Sequence, residues 1–182
     1  MIYLTSDLHF CHNRKFLYEP RGFNNVDDMN EKIIENWNNL INDEDDVYVL
    51  GDLMLNDDNK GKELFSQLNG KIHVVLGNHD TDNRIEFYKT FNNIVEIAQA
   101  IRIKLNGYNF FLCHYPTITT NYTDDKKLKH RLICLYGHTH QKTNFFDGNP
   151  YIYHVGLDSH NNTPISIDDI IDDIIEFERK VK

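Results

Sequence analysis

Short apolar runs alternate with polar, turn-forming stretches along the chain. "MIYL" (1–4), "DVYVL" (46–50), "IHVVL" (72–76), "NFFLC" (109–113), "RLICLY" (131–136) and "YIYHV" (151–155) are all of strand length. They are apolar on both faces, which predicts strands covered from both sides, as in layered α/β architectures. Between them the period becomes helical. Met29, Ile33, Trp37, Leu40 and Ile41 share one helical face, and Leu64, Phe65 and Leu68 form a shorter segment that Gly70 is expected to end. In the tail, "SIDDIIDDIIEFERKVK", Ser166 and Asp169 stand at capping-box spacing, with acids early and bases late as a helix dipole favours. Two hairpins are signalled, around Asn106-Gly107 in "IRIKLNGYNFFL" and around Asp147-Gly148 in "TNFFDGNPYIY". Strictly parallel sheets are thereby excluded, and mixed sheets are expected.

Length and composition narrow the picture. With 182 residues, and no repeat or linker, the chain reads as a single domain, 1–182, able to bury a sizeable core. A net charge of −9 argues against nonspecific binding to nucleic-acid phosphates or anionic membranes, since both need a basic surface. A small phosphate-bearing substrate is compatible with that charge only if something local supplies positive charge. The cysteines, Cys11, Cys113 and Cys134, form no C-x-x-C pair, so neither a disulfide framework nor a thiolate zinc site is suggested. The opening "MIYLTSDLH" lacks the pattern of a signal peptide, and no run approaches the ~18 apolar residues of a membrane span. The expectation is a soluble cytoplasmic protein.

What stands at the strand ends changes the reading more. The first run is followed by Asp7-Leu8-His9, the second by Gly51-Asp52, and the third by Gly77-Asn78-His79-Asp80. His114 follows the fourth, and Gly137-His138-Thr139-His140 the fifth. Taken singly, each is an ordinary turn or core residue. Five strand ends offering His, Asp and Asn together make a metal site of mixed nitrogen and oxygen ligands. Two histidines one residue apart, if extended, project to the same side, and Gly137 would give the backbone freedom to turn there.

The ordered blocks D-x-H, G-D, G-N-H-D, H and G-H-x-H resemble those of the calcineurin-like metallophosphoesterase superfamily. The resemblance implies a four-layer αββα sandwich of two mixed β-sheets flanked by helices. It implies that Asp7, His9 and His140 hold one metal, that Asn78, His114 and His138 hold the other, and that Asp52 bridges both. It also makes His79 the catalytic histidine, with Asp80 orienting it. Two divalent ions roughly 3.5–4 Å apart would bridge a hydroxide nucleophile and clamp the phosphate of a small phosphoester. The donor mixture suits Mn, with Fe, Zn, Ni or Co as substitutes, better than Ca or Mg.

Within that family, "GDLMLND" lacks the arginine of the protein-phosphatase branch. "SDLHFCH" with "RGF" at 21–23 is similar to small bacterial or phage-type phosphoesterases beginning S-D-x-H-F-x-H, usually with glycine where this chain has Cys11. A phosphodiesterase is therefore expected, with a phosphomonoesterase or a non-catalytic scaffold of the same fold as alternatives. His12, Arg14 and Arg21 are candidate substrate contacts, the arginines as bidentate phosphate clamps. Asp158 and His160 could edge the site from the loop after the last strand. His73 and His130 read as structural and surface residues. The stretch 115–130 reads as a surface loop or a substrate-facing flap. Oligomeric state is not readable from the sequence.

Overall fold

A computed structural model describes residues 1–119 and 127–181. The elements run in order β1 (Ile2–Thr5), α1 (Lys15–Tyr18), α2 (Val26–Leu40), β2 (Asp46–Leu50), α3 (Asp58–Phe65), β3 (Lys71–Val75) and α4 (Asp82–Tyr88). They continue as β4 (Ile94–Ala98), β5 (Ile101–Leu105), β6 (Tyr108–Leu112), β7 (Leu132–Tyr136), β8 (Ile152–His154), β9 (Ile165–Ser166) and α5 (Ile167–Val181). One sheet has the order β4-β3-β2-β1-β9 and the other β5-β6-β7-β8. Each contains parallel and antiparallel neighbours, β9 running against β1 and β5 against β6. Two mixed sheets with flanking helices result, an α/β sandwich as expected.

The continuous apolar runs are explained by what covers them. Val47 and Val49 of β2, with Ile72 and Val74 of β3, face Met29, Ile33, Trp37, Phe65 and Tyr88 on the helical side. Tyr48, Leu50 and Val75 point the other way, into a layer shared with Phe110, Leu112, Ile133 and Leu135 of the second sheet. Neighbouring strand residues alternate faces, so a strand buried on both sides cannot alternate in polarity. α5 joins this inter-sheet layer through Ile167, Ile170, Ile171 and Ile174, an i, i+3, i+4, i+7 stripe. Its start is capped as expected, Ser166 Oγ accepting from Asp169 N at 3.1 Å and donating to Asp169 Oδ2 at 2.6 Å.

Register then sets where the strands stop. Thr5 lies opposite Val49 and Leu50 opposite Val75, so β1, β2 and β3 end at one level. In the second sheet Leu112 lies opposite Leu135, and a Ser6–Gly156 bridge connects the loop after β1 to the loop after β8. The residues following β1, β2, β3, β6 and β7 are thereby collected at one rim of the sandwich.

Two local expectations are corrected and one is borne out. Asn106-Gly107 does turn the β5–β6 hairpin, with Leu105 opposite Tyr108. Asp147-Gly148 instead lies in a one-turn 3-10 segment, with Asp147 at φ 48°, and pairing there is a single Phe145–Tyr153 bridge. Pro150 has no N–H to donate, and β8 pairs in parallel with β7. α3 ends at Phe65, so Gly70 does not end it; at φ 94° Gly70 turns the chain into β3. The edge strand β4, with Val95 and Glu96 exposed, and the short helices α1 and α4 carry too little apolar pattern to be foreseen.

Candidate metal centre

The rim is built from unusual backbone. Asp7 (φ 58°), His9 (φ 50°), Asp52 (φ 58°), His138 (φ 67°) and His140 (φ 50°) all adopt the left-handed conformation. Side chains make that region costly, roughly 1–3 kcal/mol per residue, and it persists only where surrounding structure enforces it. Here Asp7 N donates to Gly51 O, His9 N to Asp52 O (both 3.0 Å), and His138 N to Asp7 Oδ2 (2.9 Å). His138 and His140 are thus aimed by two left-handed residues and not by an extended segment. Gly137 has no positive φ; glycine is needed because a Cβ there would stand 2.6 Å from Asp7 Oδ2. Gly51 combines φ 91° with a Cβ direction blocked 2.5 Å away by His114 Nδ1.

Seven side chains named from the sequence meet at this rim. On one side, Asp7 Oδ1 is 3.8 Å from His9 Nε2 and 3.9 Å from His140 Nε2, and the two imidazole nitrogens are 3.2 Å apart. On the other, His114 Nε2 is 3.0 Å from Asn78 Oδ1 and 3.2 Å from His138 Nδ1. Asp52 Oδ2 lies between, 3.7 Å from His9 Nε2 and 3.6 Å from His114 Nε2. Asp7, His9 and His140, and again Asp7, Asp52 and His114, each bring three donor atoms close enough to share a cation.

The donor chemistry fits a metal. Asp7 Oδ1 is buried without a hydrogen-bond partner, a cost of about 1–3 kcal/mol or more for a charged group unless a cation answers it. His114 donates Nδ1–H to Leu50 O at 2.8 Å, which leaves its Nε2 lone pair facing the rim. His140 donates Nδ1–H to Asp158 Oδ2 at 2.9 Å, which turns its Nε2 toward Asp7 and His9. His9 has no such anchor, its Nδ1 being buried without a partner. Burial, and then the neighbouring His140, pull the His9 pKa well below its usual value. Burial and His114 also lower that of His138. Both are held neutral, the form that ligates. Burial pushes Asp52 up, with His114 opposing.

Around the donors, the other expected residues divide. His79 stands at the mouth, its side chain 40% exposed and Nε2 3.9 Å from Asp52 Oδ2. Its backbone N donates to Asp52 Oδ1 at 2.9 Å. Asp80 does not orient that ring. Its carboxylate accepts from Gly77 N (2.7 Å), Asp52 N (2.9 Å), Leu53 N (3.4 Å) and Tyr88 Oη (2.7 Å), tying the loops after β2 and β3 together. His12 is buried beside the donors, its ring 5.0 Å from His9 and 6.2 Å from His79. Arg14 is exposed at the start of α1. Arg21 is corrected as a phosphate clamp, because its guanidinium is fully buried and committed to Asp158 at 2.8 and 3.1 Å and to Asp7 O at 2.8 Å. His160 turns away, pairing with His154 O at 2.9 Å. Residues 120–126 of the stretch 115–130 lie outside the described residues.

Asp158 is the functional residue the sequence placed only at the margin. Burial would raise its pKa, but hydrogen bonds from His140 and Arg21 hold it well below the carboxylate range. Against burial, Asp158 and Asp7 raise His140. The available signal was position: "VGLD" follows β8 as the other ligand blocks follow their strands. Asp158→Asn is expected to weaken any cation binding at the Asp7, His9 and His140 donors by roughly 10–100-fold, as loss of such a supporting carboxylate does elsewhere. Calorimetric metal titration measures this, and an unchanged affinity would exclude the role.

Burial pushes His12 and His154 down to about 4, with His79 adding to it at His12. A histidine depressed in the folded state stabilises the fold least in acid. Stability of the metal-free protein is therefore expected to be full above about pH 6.5 and to fall steadily as the pH approaches 4. Melting temperature against pH measures this, and a flat profile over that window would contradict it.

A two-sheet sandwich thus gathers at one rim a set of donors suited to a metal ion. The description "Calcineurin-like phosphoesterase superfamily domain" matches residues 1–157, and the chain belongs to that family. It is similar to Uncharacterized protein MJ1445 of Methanocaldococcus jannaschii, 37% identical over 178 residues, covering 93% of this chain and 89% of the relative. It is also similar to the Gene 66 protein of a Mycobacterium phage, at 27% identity over 96% of this chain and 98% of that protein. Among solved structures, the protein of unknown function AQ665 from Aquifex aeolicus superposes with a TM-score of 0.70 at 24% identity. That match covers 94% of this chain and 98% of the other and supports the shared fold. Among the described residues no helix is long and apolar enough to cross a membrane.

Proposed function

We propose that this protein is a phosphodiesterase working with two divalent cations. One is held by Asp7, His9 and His140, the other by Asn78, His114 and His138, with Asp52 between them. The observation that carries the reading is the near-equal placing of Asp52 Oδ2, 3.7 Å from His9 Nε2 and 3.6 Å from His114 Nε2. One carboxylate oxygen midway between two histidine groups suits a shared ligand better than a single-ion site. Mixed imidazole and carboxylate donors favour Mn, Fe, Zn, Ni or Co over Ca and Mg. When bound, such cations supply the positive charge the acidic chain lacks and the Lewis acidity that activates water and polarises a phosphate.

The chain's own residues do the rest. Asp80 and Tyr88 hold the loops carrying Asp52 and His79 in fixed relation. Asp158 and Arg21 hold the His140 ring. His79, exposed at the mouth and outside both donor groups, is placed to give a proton from its ring to the departing ester oxygen. Chelation is expected to abolish hydrolysis of an activated phosphodiester and Mn to restore it. Elemental analysis of loaded protein should approach two ions per chain. Full activity after exhaustive metal removal would sink the reading.

A further inference from the structure

Among the described phenylalanines, tyrosines and tryptophan only two side chains are exposed, Phe16 at 71% and Tyr115 at 48%; every other one is buried or half-buried. Single exposed apolar residues are ordinary on protein surfaces. These two are set apart by what they touch. The Phe16 ring lies 5.6 Å from His12 at 86°, and His12 in turn lies 5.0 Å from His9. The Tyr115 ring lies 5.0 Å from His114 and 4.8 Å from His138, edge to face with both. One exposed ring therefore packs on His12, the neighbour of His9, and the other packs directly on His114 and His138.

A phosphodiester has one ester substituent on each side of its phosphorus. With the phosphate between the two donor groups, its two ester substituents would extend toward the sides on which these rings lie. Planar heterocycles stack on exposed aromatic side chains with little dependence on sequence, because every base has a π face. An alkyl substituent alone offers neither ring a planar π face to stack on. Resting on the phosphodiesterase reading above, we infer that Phe16 and Tyr115 are stacking platforms, and that the substrate class is a phosphodiester between two nucleosides. The acidic surface limits its length. With a net charge of −9 the chain repels a long polyanion, so a short nucleotide fits better than polymeric nucleic acid.

The test compares two esters with one leaving group, thymidine 5′-(p-nitrophenyl phosphate) and methyl p-nitrophenyl phosphate, each with Mn present. The wild-type ratio of kcat/KM, nucleoside over methyl, is expected to be roughly 10 or more. In Phe16→Leu or Tyr115→Leu, whichever removes the ring under the base, the ratio should fall to about one. The ratio is the readout because Tyr115 also touches His114 and His138, and a general disturbance there affects both esters alike. Both esters hydrolysed at equal kcat/KM by the wild type would overturn the platforms and leave the phosphodiesterase reading standing. If neither is hydrolysed, that reading fails instead. The platforms are then judged by binding of the uncleavable dithymidine methylphosphonate, followed by NMR of the Phe16 and Tyr115 rings. Ring shifts on binding would support them, and none would reject them.

Discussion

Replacing His79 by asparagine is expected to slow hydrolysis of an alkyl or nucleoside diester by roughly 10²–10⁴-fold, the usual contribution of a general acid. The same variant should still bind two ions. His79 belongs to neither donor group, its side chain is 40% exposed, and its nearest carboxylate oxygen, Asp52 Oδ2, is 3.9 Å from Nε2. An imidazole so placed has water on one side and the donors on the other, which suits proton delivery to a departing group. The loss should depend on that group. Nitrophenolate leaves without a proton and should show a small effect, whereas an alkoxide should show the full one. Rates on both esters and metal content therefore have to come from one preparation. Equal losses on the two esters with both ions present would reject the acid role, and loss of an ion would make His79 a ligand.

Asp52→Asn should act on both ions at once. Its Oδ2 faces the His9 and His114 nitrogens, and the amide would replace a shared anionic acceptor by a neutral group. An affinity loss of about 100-fold or more at each position is expected, on the order of 3 kcal/mol apiece. One tight site surviving in calorimetric titration would move the shared ligand elsewhere. Stability should move in the opposite direction. Burial raises the Asp52 pKa, so its charge opposes folding at neutral pH. The metal-free variant is therefore expected to melt higher than the metal-free wild type, a gain made by removing a functional charge.

What could be read from the sequence follows from what is local. Asp7, His9, Asp52, Asn78, His114, His138 and His140 each stand directly behind an apolar run, so a strand end announces them one at a time. Their convergence needed the parallel registers within each sheet, β1 to β3 and β6 to β7, and the Ser6–Gly156 bridge between the loops. Longer-range chemistry left no such mark. Arg21 and Asp158 are 137 positions apart, and an ion pair across that separation has no period or motif. Arg21 therefore read as a free phosphate clamp when it is a buried support. The adjacency of Asp80 to His79 misled in the same way, because the carboxylate turns back to the Asp52, Leu53 and Gly77 amides. The Asp147-Gly148 hairpin failed for a related reason: a turn dipeptide proposes a pairing, but Pro150 and the parallel β7 partner decided it.

The donors come from both halves of the sandwich. Asp7, His9, Asp52 and Asn78 follow strands of one sheet, and His114, His138 and His140 follow strands of the other. A ligand gripping both halves binds only when they are correctly seated, so its affinity is also folding free energy by mass action. At a free concentration 100 times the dissociation constant, each ion adds about 2.7 kcal/mol to the native state. On the proposed two-cation reading, cation supply in the surroundings would then act on the folded population as well as on turnover, through the same donors.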